Sequence, residues 1–142
     1  MKIAVLYASM TGHSKKIAAA VSAALGVTAQ NVKDCAELEK TDLLFLVGGI
    51  YADSCSKHML KFAETLDGSV ARRVALVTSS ASQKHGQDMV REILMQNNVE
   101  VLEEEFMCGG RFLFMRLRHP NKTDYEAAAA YAVRIAESFK GA

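Results

Sequence analysis

No stretch of this sequence is apolar for long enough to span a bilayer, so no transmembrane segment is expected. It lacks a dense basic run, and its formal net charge is only +1, which argues against a nucleic-acid footprint. Cysteine is scarce and odd in number: the three, Cys35, Cys55 and Cys108, are widely spaced with no CxxC pair. That excludes a disulfide scaffold and a zinc-ribbon site, and suits a reduced, intracellular chain. His58, His85 and His119 have no metal-ligand spacing, so no metal site is expected. There is one proline, Pro120, and no repeat, linker or low-complexity tract breaks the 142 residues. A single domain over 1–142 follows. One lysine ahead of a short β-branched run is no secretory leader, and a cytoplasmic location is expected.

What is present is strand and helix in alternation. Ile3–Ala8, Leu43–Gly49 and Val74–Ser80 are nearly unbroken apolar runs of strand length, each ending in small or polar residues. Runs without alternation suit strands buried on both faces. Thr28–Val32 and Val99–Phe106 are more polar, as edge strands should be. Between the strands, Ile17, Val21 and Ala24 share a helical face, as do Met59, Phe62, Ala63 and Leu66, and Met89, Val90, Ile93 and Leu94. A last helix carries Ala128, Ala132, Ile135 and Phe139, with Thr123 and Glu126 spaced as a capping box. Asp34–Lys40 has room for a turn or two of helix at most. The pattern predicts a three-layer α/β sandwich: a five-stranded parallel sheet of order 2-1-3-4-5 with helices on both faces. Such a sheet binds ligands outside the carboxyl ends of strands one and three, where the strand order reverses.

The loop that reaches this crevice reads Ser9-Met10-Thr11-Gly12-His13-Ser14. A strand-to-helix turn presents unpaired amides at the positive end of a helix dipole. Ser9, Thr11 and Ser14 add hydroxyls, and Gly12 lets the backbone close tightly. A phosphate held by neutral donors fits such a cup, as an anchored monoester rather than a group in transfer. Lys15 and Lys16 follow and are expected to face solvent. The plainer reading, that these residues only cap the helix, stays open on the residues alone. A nucleotide P-loop, a three-glycine dinucleotide fingerprint and a Cys-x5-Arg phosphatase loop are all missing. A phospho-receiver domain would need acidic residues after strand one and an aspartate ending strand three. Ser9 and Gly48-Gly49 stand there instead.

Ser9-x-Thr11-Gly12-x-Ser14 after a first parallel strand resembles the flavodoxin signature, usually Ser/Thr-x-Thr-Gly-Asn-Thr, which holds the phosphate of FMN. The likeness extends over the whole chain, through Gly48-Gly49-Ile50-Tyr51 and the tail from Cys108-Gly109-Gly110 to Arg118-His119-Pro120-Asn121. It is similar above all to the compact, short-chain flavodoxin-like proteins of anaerobic bacteria. The resemblance implies a flavodoxin-like fold with FMN as cofactor. Ser9, Met10, Thr11, Gly12, His13 and Ser14 would take the phosphate, and His13 and Ser14 stand where the family usually has asparagine and threonine. The loop Gly49–Cys55 would follow the isoalloxazine ring through Gly49, Ile50, Tyr51, Ala52 and Asp53, with Tyr51 stacked on the ring. The loop Thr78–His85 would flank the other side, with Ser79, Ser80 and Ala81 near the ribityl chain.

Three departures from the family qualify that expectation. No aromatic residue stands between Val77 and Val90, so one ring face is left to Ala81, Ser82, Gln83 and His85. The ring-facing loop often carries a glycine whose peptide flips toward flavin N5. Here Ala52 and Asp53 follow Tyr51, and the Asp53 charge would lower the potential. Flavodoxins are usually strongly acidic, whereas this chain is nearly neutral and carries the basic-apolar segment Arg111–Arg118: a docking surface, a membrane-edge contact or, as its phenylalanines favour, the final stretch of the fifth strand with its aromatics in the core. Cys55 and Cys108 would lie near the flavin without a neighbour to make them reactive.

The function implied is an FMN-binding electron-transfer protein that shuttles electrons between a reductase and an acceptor enzyme, its redox partners. No catalytic acid or base is needed. The alternative is a small FMN-dependent oxidoreductase acting on a quinone or porphyrinogen, similar to menaquinone-dependent protoporphyrinogen oxidase. A flavin-free protein-interaction module is the third class.

Overall fold

Five consecutive side chains, Leu43 to Val47, are completely shielded from solvent. In a strand, alternate residues face opposite ways, so such a run must be covered on both sides. The computed structural model shows how. It describes residues 1–9, 12–51, 54–80, 86–108 and 122–140. Strand β1 (Ile3–Tyr7) leads into α1 (His13–Leu25), then β2 (Ala29–Asn31) and a single 3-10 turn, Val32–Asp34. Next come β3 (Thr41–Tyr51), β4 (Ser54–Cys55), α2 (Lys57–Glu64) and β5 (Ala71–Ser80). The chain then forms α3 (Asp88–Gln96), β6 (Glu100–Val101), β7 (Phe106–Cys108) and α4 (Lys122–Phe139).

The sheet runs β2-β1-β3-β5, with β6 and β7 both on the outer edge of β5. All of these pairings are parallel. Counting β6 and β7 as one interrupted fifth strand, this is the expected order 2-1-3-4-5. The alternation divides the core into two layers. Val5, Leu43, Phe45, Val47, Ala75 and Val77 face α1 and α4, while Leu6, Leu44, Leu46, Val74 and Leu76 face α2 and α3. Burying a Leu, Val or Phe side chain contributes about 1.5–3 kcal/mol, so the two layers supply most of the drive to fold.

Several elements depart from the sequence reading. The strand β3 runs on past its apolar run to Tyr51, and β5 starts earlier, at Ala71, and ends at Ser80, so Gly49–Tyr51 and Thr78–Ser80, which open the expected loops Gly49–Cys55 and Thr78–His85, are strand residues. After Tyr51 the chain doubles back, and β4 pairs antiparallel with the end of β3. The buried face of α1 is Ser14, Ile17, Ala18, Val21 and Ser22, and Ala24 is exposed. Met89 of α3 is likewise half exposed. The helix α4 already includes Thr123, one residue past its start at Lys122, so Thr123 does not cap it.

The predicted fifth strand breaks at 102–105. Successive glutamates there are drawn to opposite sides of the sheet. The Glu104 carboxylate accepts from both terminal guanidinium nitrogens of Arg134, and its carbonyl accepts from the Tyr131 hydroxyl at 2.7 Å. The Glu105 carboxylate turns the other way, toward α3.

Candidate functional site

The parallel register brings three chain segments side by side at the carboxyl end of the sheet. Tyr7 aligns with Val47 and Val47 with Val77. Two residues further along these strands lie Ser9, Gly49 and Ser79, and Gly49 and Ser79 are register partners. The Ala8 amide still donates to the Val47 carbonyl at 3.1 Å, so β1 keeps its place beside β3 up to the turn.

The turn entering α1 is built on Gly12. Its backbone has φ +89 and ψ −9, the left-handed region that costs a side-chain-bearing residue about 1–2 kcal/mol. Space is not the reason for glycine, because nothing lies within 4 Å of the position a Cβ would take. The Gly12 amide donates to Ser9 Oγ at 2.8 Å, which closes the turn on itself. Ser9 is therefore an internal brace, and its hydroxyl hydrogen is still available to donate. The Gly12 carbonyl accepts from the Lys16 amide and starts the helix. No acidic residue stands in the first turn of α1, so no carboxylate neutralises the positive end of the helix dipole there. Ser14, in that turn, is fully buried, and its hydroxyl has no hydrogen-bond partner. Leaving such a group unpaired costs about 1–3 kcal/mol. Lys15 and Lys16 are exposed, as expected.

Of the other expected site residues, Ile50 and Ser79 are buried. Gly49, Tyr51 and Ser80 hold the strand ends. Met10, Thr11, Ala52, Asp53 and Ala81 lie outside the described residues. So do Ser82, Gln83 and His85, and with them the open ring face expected beside them. The segment Arg111–Arg118 lies outside as well. Cys108 is a core residue packed with α4, whereas His58 is an exposed residue of α2. Burial raises the Cys35 thiol above its ordinary pKa, which keeps it protonated.

Sequence reasoning missed two residues beside the site. Gln87 precedes α3 and is almost completely buried. Its Nε2 lies 3.2 Å from each of three acceptors: the carbonyls of Leu46 and Val77 and the hydroxyl of Thr78. Because those carbonyls can only accept, the nitrogen must face them. The amide oxygen is left without a partner, against Gly48, where a Cβ would come within 2.7 Å of it. Glu105 receives the Thr78 hydroxyl, the Gln87 amide at 2.8 Å and Arg91 at 3.2 Å. Nothing in the sequence pattern separates Glu105 from Glu103 and Glu104. Gln87 carried no signal, since glutamine is mostly exposed.

The chain matches the family model described as "Flavodoxin domain" over residues 4–126. It belongs to the flavodoxin family. Solved flavodoxins share its fold at low identity. A flavodoxin from the domain Archaea is 17% identical, with a TM-score of 0.73 over 97% of this chain and 98% of that one. Oxidised flavodoxin 2 from Bacillus cereus is 21% identical, with a TM-score of 0.70 over 98% of this chain and 100% of that one. A short-chain flavodoxin associated with a non-canonical PDU bacterial microcompartment is 17% identical, with a TM-score of 0.69 over 97% and 99% of the two chains. No curated protein sequence matches the chain. Among the described residues, no helix of this flavodoxin is long and apolar enough to cross a membrane.

Proposed function

We propose that this flavodoxin binds FMN and carries electrons between a reductase and an acceptor enzyme in the cytoplasm. The observation that carries this reading is the buried, unpartnered Ser14 hydroxyl at the entry of α1. A phosphate monoester would accept from it, and would meet the helix dipole with no carboxylate in the first turn to repel it. Ser9, Met10, Thr11, Gly12, His13 and Ser14 form the phosphate cup in this reading. Gly49, Ile50, Tyr51, Ala52 and Asp53 run along the ring, and Ser79, Ser80 and Ala81 lie beside the ribityl chain. When bound, FMN supplies the redox chemistry, and the protein supplies binding, orientation and shielding from water.

The test is a pair of titrations of the purified apoprotein, followed by flavin fluorescence and visible absorbance. FMN should bind at least about a hundredfold more tightly than riboflavin. The difference is the phosphate alone, and each hydrogen bond to a charged group contributes about 1.5–3 kcal/mol. Equal affinity for the two flavins would contradict the phosphate cup. Failure of FMN to bind would contradict the function.

A further inference from the structure

A cleft of about 220 Å³ lies at the β2 edge of the sheet, between the 3-10 turn Val32–Asp34 and the helix α2. Both of its walls are set by local chemistry. On α2, His58, Lys61, Phe62 and Thr65 fall at i, i+3, i+4 and i+7, which is one face of a helix. Ser56 fixes the start of that helix, its Oγ accepting from the His58 amide at 3.2 Å. On the other wall, Asn31 Oδ1 accepts from the Lys33 amide at 2.9 Å, and the Gln30 side chain donates to the Asp34 carbonyl at 3.0 Å. The turn is thereby held with Lys33 and Cys35 on the cleft.

The lining is apolar at depth and cationic at the rim. Val32 and Phe62 are buried and Cys35 is half-buried, whereas Lys33, His58 and Lys61 are exposed. Among the described residues, no carboxylate lines the cleft, and neither lysine ammonium has a hydrogen bond or an ion pair. Lys2, Lys122 and Lys140, by contrast, each pair with a glutamate. Two like charges at one cleft repel each other. An anion between them relieves that repulsion and adds charge-assisted hydrogen bonds. The apolar depth favours a guest that carries carbon between its charges. The volume is smaller than that of pockets for drug-sized ligands, so the guest must be small.

We propose that this cleft binds a small dicarboxylate, its carboxylates on Lys33 and Lys61 and its carbon chain over Val32 and Phe62. None of these residues belongs to the proposed phosphate cup or ring loops, and the inference does not rest on FMN binding.

Cys35 supplies the readout, because a guest in the cleft covers its thiol. Alkylation by N-ethylmaleimide is timed on the purified chain at fixed pH and ionic strength, by mass spectrometry of the peptide that holds Cys35. Succinate should slow the reaction at least about threefold, with half of the effect reached on the order of 1–10 mM. Sodium chloride and the neutral succinamide should leave the rate unchanged. Lys33→Met and Lys61→Met keep the apolar stem and remove the charge, and each should raise the succinate needed about fivefold. Lys40→Met, at an exposed lysine outside the cleft, should leave protection as in the parent. Inorganic phosphate has no carbon chain for the apolar depth and should be needed at about tenfold higher concentration.

A rate that succinate leaves unchanged, or that chloride slows as much, would overturn the proposal. So would parent-like protection in both cleft variants, or an equal loss in Lys40→Met. Phosphate protecting at the same concentration as succinate would overturn the assignment to a dicarboxylate. Should Cys35 react too slowly to time, isothermal titration calorimetry reads succinate binding instead, with the same expectations for every variant and probe.

Discussion

Among the described residues, two buried side-chain oxygens lack a hydrogen-bond partner, and they are opposite cases. Ser14 Oγ stands in the first turn of a helix with no acidic neighbour in that turn, and the phosphate proposed above would be its partner. Gln87 Oε1 is pressed against the Gly48 backbone, with no room between them even for a methyl group. The same Gln87 amide makes three hydrogen bonds through its nitrogen, which offset the orphaned oxygen. An unpaired polar group alone therefore does not mark a binding site. What distinguishes the turn entering α1, in the proposed reading, is a missing partner supplied by the bound phosphate. The missing partner before α3 is excluded by packing.

The sharpest way to break this contrast is to remove the packed amide. Gln87→Ala deletes three buried hydrogen bonds and leaves a cavity beside Gly48, so it should cost about 2–4 kcal/mol. Urea denaturation should show the loss equally in apo and FMN-loaded protein, and a loss confined to the loaded form would place Gln87 in the binding site instead. A smaller effect is expected from Gly48→Ala. The added methyl must displace a pinned amide, an overpacking cost of about 1–3 kcal/mol. A Gly48→Ala protein as stable as the parent would show that Gln87 has another position to occupy.

The smallest effect concerns the other glutamate of the broken strand. Arg134, through its hydrogen bonds and then its charge, holds the Glu104 carboxyl below its ordinary value of 4.5. Because the folded value lies below the unfolded one, the stabilisation is complete above the unfolded value. It is lost as pH falls through the folded one. Denaturation midpoints from about pH 3 to 7 should therefore fall less steeply toward acid in Glu104→Gln than in the parent chain. Parallel profiles would show that this exposed pair contributes nothing measurable.

The sequence was most informative where one physical demand dominated. The runs Ile3–Ala8, Leu43–Gly49 and Val74–Ser80 had to be strands covered on both faces, and from their separation the strand order followed. The turn at Gly12 was legible because a left-handed residue before a helix calls for glycine. Polarity misled where the fold buries polar residues. Ser14 and Ser22 hid the phase of α1, so Ala24 was placed on a face that belongs to Ser22. The Ser22 hydroxyl returns its hydrogen to the Ala19 carbonyl at 3.1 Å and needs no water. Glu105 and Gln87 were illegible for the same reason. Each is polar, each is tied up by partners far along the chain, and no local pattern announces such partners. The β4 hairpin rests on only two residue pairs, too short for any periodicity to show.

The central claim is that the turn entering α1 keeps a donor unpaired for a phosphate, and Ser14→Ala tests it most directly. Stability of the apoprotein and affinity for FMN should be measured on the same preparation. The account predicts that apo stability holds or rises by up to about 1 kcal/mol, since a costly orphan is removed, while FMN binding weakens by about 1.5–3 kcal/mol. Apo stability that falls while FMN affinity stays at the parent value would contradict it.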